Sequence, residues 1–352
     1  MKLIPYRMVK TAVELVNVCK KYGNFCVLTD INLSIMEGDF FSILGPSGSG
    51  KTTLLKIIAG LLYPDSGKVY MYDRDCTFLP PYKRNVGVVF QDLALFPHLN
   101  VFENVAYGLR IRKLPEKEIK EKVYECLYTV NLDPEVFAKR KISQLSGGQQ
   151  QRVAIARALA IEPSILLLDE PLGSLDLKLR QHMISELKRI QRKVGTTFVY
   201  VTHDQTEALI LSDRIAVINC GKVEQIGTPV EIYEKPKTKF VAEFIGEMNF
   251  IQAKREGEYF LSEIGPIKLR DSNGADKILL ALRPEKVVID PKNTRNVFRG
   301  RVDEVTYLGS QISVKINING FIIKSLQPST IKVREGEEVL LGFREEDVLT
   351  FT

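Results

Sequence analysis

Short, uninterrupted apolar runs recur along the first two thirds of the chain. They are Phe40-Phe41-Ser42-Ile43-Leu44, Ile165-Leu166-Leu167-Leu168, Thr197-Phe198-Val199-Tyr200-Val201 and Ile215-Ala216-Val217-Ile218. None shows the in–out alternation of a half-exposed strand, so each predicts a strand covered on both faces, as in a parallel sheet between layers. Residues 52–62, 116–130 and 152–159 instead carry apolar positions at helical spacing. Strands alternating with helices predict an α/β layer fold. From about 92 to 160 the pattern is mostly helical with no buried-strand run, which reads as a helical subdomain inserted into the α/β domain.

Near Gly246-Glu247-Met248-Asn249 the texture changes to short strand-like runs broken by Gly, Asn, Asp and Pro. The expected division is an α/β domain over 1–245 and a small all-β domain over 246–352. The second part contains an echo: residues 279–287, beginning Leu279-Leu280-Ala281, resemble residues 340–348, beginning Leu340-Leu341-Gly342. Two such copies predict paired strands closing a small barrel.

Composition narrows the class. Over 352 residues, 45% hydrophobic and 26% charged content are those of an ordinary globular protein. No apolar run approaches the roughly 18 residues that a membrane helix needs. The first residues, Met1-Lys2-Leu3-Ile4-Pro5, have no apolar core of signal length, so a cytoplasmic location is expected. Five scattered cysteines without a Cys-x-x-Cys pair argue for reduced thiols over a metal or disulfide framework. The net charge of +6 arises from 49 basic and 43 acidic residues interleaved along the chain, a solvated surface more than a nucleic-acid stripe.

The chemistry concentrates where strands end. Gly45-Pro46-Ser47-Gly48-Ser49-Gly50-Lys51-Thr52 fits the phosphate-loop pattern G-x-x-x-x-G-K-[ST], with Thr53 next in line. Its glycines let successive amides turn toward phosphates, Lys51 can reach the β and γ phosphates, and the Thr52 hydroxyl can bind Mg²⁺. Asp169 closes an apolar run and suits the Mg²⁺ hydration shell; Glu170 follows and can orient or deprotonate an attacking water. Gln91 follows Val88-Val89-Phe90 at the start of the helical insertion, placed to sense Mg²⁺ or that water. His203 ends another strand, where contact with a γ-phosphate is expected; His98 and His182 have no such setting and read as structural. Tyr22 either stacks on adenine or is a packed surface aromatic.

One stretch does not fit a single site. Leu145-Ser146-Gly147-Gly148-Gln149-Gln150-Gln151-Arg152 offers a hydroxyl and free amides at a helix start, a second anion grip in a chain that already has one. The simplest reason is a nucleotide held by another copy of the domain.

In this order the motifs resemble those of the nucleotide-binding subunits of ABC transporters, a resemblance that covers the whole chain. It implies a P-loop NTPase with a RecA-like core, a helical subdomain and a C-terminal OB-like TOBE domain. It further implies ATP and Mg²⁺ as ligands, and a homodimer in which Ser146, Gly147, Gly148 and Gln149 of one subunit reach the ATP on the phosphate loop of the other. By the same resemblance Glu170 is the catalytic base, His203 organises it, and Gly173-Ser174-Leu175-Asp176 is the D-loop, with Asp176 at the nucleotide. Two integral membrane permease subunits, and through them a solute-binding protein, are the implied partners, with no nucleic acid and a place on the cytoplasmic face of the membrane. Residues 179–193, 224–229 and 240–247 are similar to those of polyamine-importer ATPases, and less closely to importers of ferric iron, sugars, sulfate and thiamine. A soluble ABC ATPase acting on nucleic acid or ribosomes is the rival; it usually has two cassettes or a long coiled coil, and this chain has neither. A regulatory β module binding a small anion is compatible with the transport reading.

Overall fold

The computed structural model describes residues 10–173, 175–269, 275–292 and 294–351. The chain forms two compact units, Met1–Ile232 and Tyr233–Thr352.

The first unit is organised by a six-stranded sheet. Its strands, in spatial order, are Lys222–Gly227, Arg214–Asn219, Phe40–Leu44, Thr197–Thr202, Ile165–Asp169 and Val86–Val89. All pairs are parallel except the one made by the edge strand Lys222–Gly227. Both faces of the sheet are buried, as the apolar runs required. Phe40, Leu166, Leu168, Phe198 and Tyr200 face a layer built largely of the helices Val101–Ile111, Glu116–Thr129, Gly147–Ala160 and Leu177–Val194. Phe41, Ile43, Ile165, Leu167, Val199 and Val201 face the helix Lys51–Ala59 and a second, antiparallel sheet of Thr11–Tyr22, Phe25–Met36, Ser66–Met71 and Arg74–Asp75. That second sheet was not read from the pattern, because its strands bury one face and bend at bulges between Leu15 and Lys21.

Buried polar side chains tie loops to this frame. Asn104, fully buried, accepts from the Phe96 amide at 2.9 Å and donates to the carbonyls of Phe96, Leu99 and Asn100, fixing the turn before its helix. Arg84, 5% exposed, donates to the carbonyls of Leu79 (2.7 Å), Ile57 (2.8 Å), Ile58 (3.0 Å) and Thr77 (3.1 Å). It therefore ties the end of helix Lys51–Ala59, where it supplies the Ile58 carbonyl and adds to the Gly60 amide on that of Ile57, to the segment of Thr77 and Leu79.

The second unit is mainly β. Two five-stranded antiparallel sheets share one apolar core, which includes Ile251, Phe260, Leu280, Phe298, Val314, Ile316 and Leu341. The sequence echo becomes a repeated strand, 3₁₀ turn and strand. Lys277–Leu282, Pro284–Lys286 and Val288–Ile289 form one copy; Glu338–Phe343, Glu345–Asp347 and Leu349–Phe351 form the other. The copies pair by exchange: the first strand of each bonds to the last strand of the other, so the echo contributes to both sheets.

Replacing Arg84 by Ala leaves several buried carbonyls without a donor. The expected cost is about 2–4 kcal/mol, read as a lower urea midpoint for the first unit, and Arg84→Lys should recover only part of it.

Candidate functional site

Strand register assembles the site. Leu44 lies opposite Thr202, Asp169 opposite Val201, and Val89 opposite Leu168. The residues that follow these positions, Gly45, His203, Glu170 and Gln91, therefore emerge together at the carboxyl ends of neighbouring parallel strands, where open α/β sheets bind ligands.

The phosphate loop curls under three constraints. Gly50 caps the helix Lys51–Ala59 with φ 99°, a left-handed conformation that glycine adopts without cost. A Cβ on Gly45 would sit 2.1 Å from the Ile218 carbonyl oxygen, so no larger residue fits there. The Ser49 hydroxyl is buried and has no hydrogen-bond partner among the described residues. Lys51, 4% exposed, donates from Nζ to the carbonyls of Gly45 (2.8 Å) and Pro46 (2.9 Å), so its charge is held inside the loop. Burial pulls its pKa down; the carboxylates of Glu170 and Asp169 act against that. A cleft of about 270 Å³ opens here, lined by Val27, Ser47, Gly48, Gly50, Lys51, Thr52, Thr53 and Glu170.

The carboxylates sit at the rim in two different environments. Asp169 is buried and accepts from the Thr52 hydroxyl at 3.0 Å. Burial raises its pKa, the Thr52 hydrogen bond acts in the opposite direction, and neighbouring Glu170 raises it further. Glu170 has φ 42°, unusual for a residue with a Cβ, and its amide donates to the Val201 carbonyl at 3.0 Å. Such strain persists only where surrounding bonds over-determine it, and it clusters at functional sites. One oxygen of Glu170 lies 3.1 Å from Nδ1 of His203, so the imidazole and this carboxylate are already paired.

A buried charge that desolvation penalises, an orphaned hydroxyl and a loop with no room for a Cβ at Gly45 or Gly50 suit a polyphosphate with a hard cation. Thr52 and Asp169 are oxygen donors of the kind Mg²⁺ prefers, and two protein donors are enough for an ion that keeps several waters. No cluster of three or more His, Cys, Asp or Glu that could hold a metal by itself occurs among the described residues.

The second anion grip lies apart from this cleft. Ser146 caps the helix Gly147–Ala160 in a capping box: its hydroxyl accepts from the Gln149 amide at 3.4 Å, and its own amide donates to the Gln149 side chain at 3.0 Å. Ser146 and Gly147 are exposed, and none of Ser146, Gly147, Gly148 or Gln149 is among the cleft-lining residues. The helix start packs closely on its neighbour: a Cβ on Gly148 would meet a Leu179 methyl at 2.8 Å, so that side chain would have to shift. Asp176 caps the next helix, Leu177–Val194, by accepting from the Leu179 amide at 3.0 Å. Ser174 lies outside the described residues. Tyr22 is 53% exposed at the tip of a hairpin, with the Lys20 ammonium 5.9 Å above its ring, and it does not line the cleft.

Residues 28–173 match the family model described as ABC transporter, and residues 280–351 match the one described as TOBE domain. A curated relative from Thermotoga maritima, spermidine/putrescine import ATP-binding protein PotA, is 48% identical over 332 residues, covering 90% of each chain. Its counterpart in Clostridioides difficile is 46% identical over 348 residues, covering 97% of this chain and 98% of its own. The chain belongs to the ATP-binding subunits of ABC transporters. Among solved structures, cbiO1 of Clostridium perfringens, part of the ABC transporter complex cbiONQ, superposes with a TM-score of 0.59 at 31% identity, over 63% of this chain and 90% of its own. The dimeric bacterial cassette MJ0796 gives 0.55 at 40% identity, over 62% and 98%. A further structure of MJ0796 holds ADP and Pi after hydrolysis.

As an ABC ATPase, which uses ATP with Mg²⁺, the chain has contributors to this site that no motif announced. Val27 lines the cleft from the second strand of the Tyr22 hairpin; its only signal was nearness to Tyr22. Arg157, on the helix begun by Ser146, donates to the carbonyls of Ala94 (2.7 Å) and Leu93 (2.8 Å). Both those residues have positive φ, at 45° and 59°, so a planar fork from the helical layer fixes the strained turn that follows Gln91. An arginine in an amphipathic helix gives no sequence sign of such a role.

The raised pKa of Asp169 has a consequence for stability. The folded carboxyl keeps its proton to higher pH than the unfolded one, so its contribution is fully present below the unfolded pKa and is lost as pH rises through the folded value. At neutral pH the charged form costs stability in the nucleotide-free protein. Asp169→Asn, which can still accept from Thr52, should therefore melt at a higher temperature than the parent near neutral pH. The gain should shrink as pH falls toward about 4, as scanning calorimetry across pH would record.

Proposed function

We propose that this chain hydrolyses ATP as a homodimer on the cytoplasmic face of a membrane and so powers import of a polyamine through two permease subunits. The observation that carries the composite site is that separation: the second anion grip exposes Ser146 and Gly147 without lining the phosphate cleft of the same unit. One subunit then offers Gly45 to Thr53 and the carboxylates, and its partner offers Ser146, Gly147, Gly148 and Gln149, with Asp176 beside them.

In this reading the loop amides and Lys51 grip the phosphates, and Tyr22 stacks on the adenine. Thr52 and Asp169, with Gln91 at the rim, would hold Mg²⁺, which neutralises phosphate charge when bound. Glu170 accepts the proton of the attacking water as oxygen bonds to the γ-phosphorus and the bond to ADP breaks. His203, 3.1 Å away, keeps that carboxylate aimed. The turn after Gln91 is clamped by Arg157 to the helix that begins at Ser146. A permease segment seated beside residues 92–160 would therefore feel the nucleotide through Gln91 and the partner's ATP through Ser146. Binding closes the dimer, hydrolysis reopens it, and the ligand biases one of two global states. The domain division at about residue 245 belongs to the same reading. The polyamine assignment is supported by relatives named for spermidine/putrescine import at 46–50% identity.

Two measurements test this. Glu170→Gln should bind ATP and accumulate as a closed dimer on size exclusion, with turnover reduced about a thousandfold or more; normal turnover would remove the assigned base. Cells lacking the chain should lose uptake of radiolabelled spermidine while retaining that of ferric iron and maltose. Unchanged spermidine uptake would overturn the substrate assignment and leave the ATPase assignment standing.

A further inference from the structure

A second arginine, this one in the first turn of its helix, occupies an unusual position. Arg180, in the first turn of helix Leu177–Val194, is only partly exposed. Its Nη2 donates to the Leu175 carbonyl at 3.1 Å, within the segment that follows Glu170. Its Nη1 lies 3.6 Å from a carboxylate oxygen of Asp204, and its Nε lies 3.9 Å from one of Glu207. That Nε is buried and without a hydrogen-bond partner among the described residues. A guanidinium N–H left short of a bond beside a carboxylate is a contact one small shift away from completion.

The two acids frame His203. Asp204 follows it directly and caps the helix Gln205–Leu211 by accepting from the Glu207 amide at 3.1 Å. Glu207, 4% exposed, accepts from the Tyr200 hydroxyl and from the Thr202 hydroxyl, both at 2.7 Å. Tyr200 and Thr202 belong to the strand that delivers His203, and the Asp204 amide donates back to the Thr202 hydroxyl at 3.0 Å. The peptide carrying His203 is thus held from both sides by groups that Arg180 faces. On the other branch, Glu170 leads into the same segment as Leu175, because its carbonyl accepts from the Gly173 amide at 3.2 Å, and the Leu175 amide donates to the Leu172 carbonyl.

We infer that Arg180 is a positioning residue that couples the segment after Glu170 to the His203 segment, completing its contact with Glu207 when the former shifts and so setting the His203–Glu170 pair for hydrolysis. The inference rests on the reading of Glu170 and His203 given above. Arg180 touches no nucleotide in it. Its effect passes through His203, and that makes it separable from a general contribution to folding.

The test is a double-mutant cycle in the full-length protein, read by single-turnover ATP hydrolysis, nucleotide affinity and melting temperature. Arg180→Met keeps the apolar stem and should slow hydrolysis about tenfold while changing ATP affinity less than about twofold. In a His203→Ala background the same change should cost less than about twofold, because the route is already cut. Arg180→Lys, which keeps the charge but not the fork, should fall between the two and melt with the parent. The inference is overturned if Arg180→Met hydrolyses at the parent rate, or if it costs its full factor again in the His203→Ala background. It is also overturned if Arg180→Met unfolds early while Arg180→Lys is fully active. A His203→Ala protein that hydrolyses at the parent rate would instead defeat the underlying reading of His203, and this inference with it.

Discussion

Everything at the nucleotide site depends on the register of three adjacent parallel strands. The backbone bonds that set Leu44 opposite Thr202 and Asp169 opposite Val201 decide that Gly45, Glu170 and His203 leave the sheet side by side. A slip of one residue would turn every side chain to the other face. It would put Phe40, Phe198 and Tyr200 where Phe41, Val199 and Val201 belong, and both covering layers would lose their fit. Packing on the two faces therefore fixes the chemistry at the strand ends, although none of these core residues lines the cleft.

The site itself is held against its own electrostatics. Lys51 and Asp169 are both desolvated, and burial works against the charge of each. Glu170 adds backbone strain. In the absence of nucleotide these costs are only partly offset, by the carbonyls that hold Lys51 and the hydroxyl of Thr52. Phosphate charge would offset that of Lys51, and Mg²⁺ would offset that of Asp169, so the desolvated pair favours binding of the two together. Arginine forks then link the strained parts to the surrounding helices: Arg157 to the turn after Gln91, Arg180 to the segments around Glu170 and His203.

Much of this is legible in the sequence. The phosphate loop announced itself because only glycines permit its curl, and the parallel strands did because burial on both faces leaves no room for polar positions. Asp169 and Glu170 followed from their place at the end of such a strand. Other features obeyed rules that a linear reading does not expose. The helix Gly147–Ala160 begins five residues before the apolar spacing from Arg152 suggests, since two glycines carry no apolar pattern and the Ser146 capping box supplies the start. Val27, Arg157 and Arg180 sit in strands and helices whose composition looks ordinary. They acquire their roles from residues on other elements, which the fold and not the sequence brings beside them. The exchanged strands of the β unit were visible as an echo, but their pairing is a property of the folded chain.

In the proposed dimer each ATP is held by the phosphate loop of one subunit and the Ser146 helix of the other. Purified Lys51→Ala and Ser146→Ala proteins, each inactive alone, should on mixing regain ATP hydrolysis up to about a quarter of the parent rate, because half of the dimers are mixed and each mixed dimer rebuilds one intact site. Mixing that restores nothing, or a Ser146→Ala protein that hydrolyses ATP at the parent rate by itself, would mean that the two grips do not share a nucleotide.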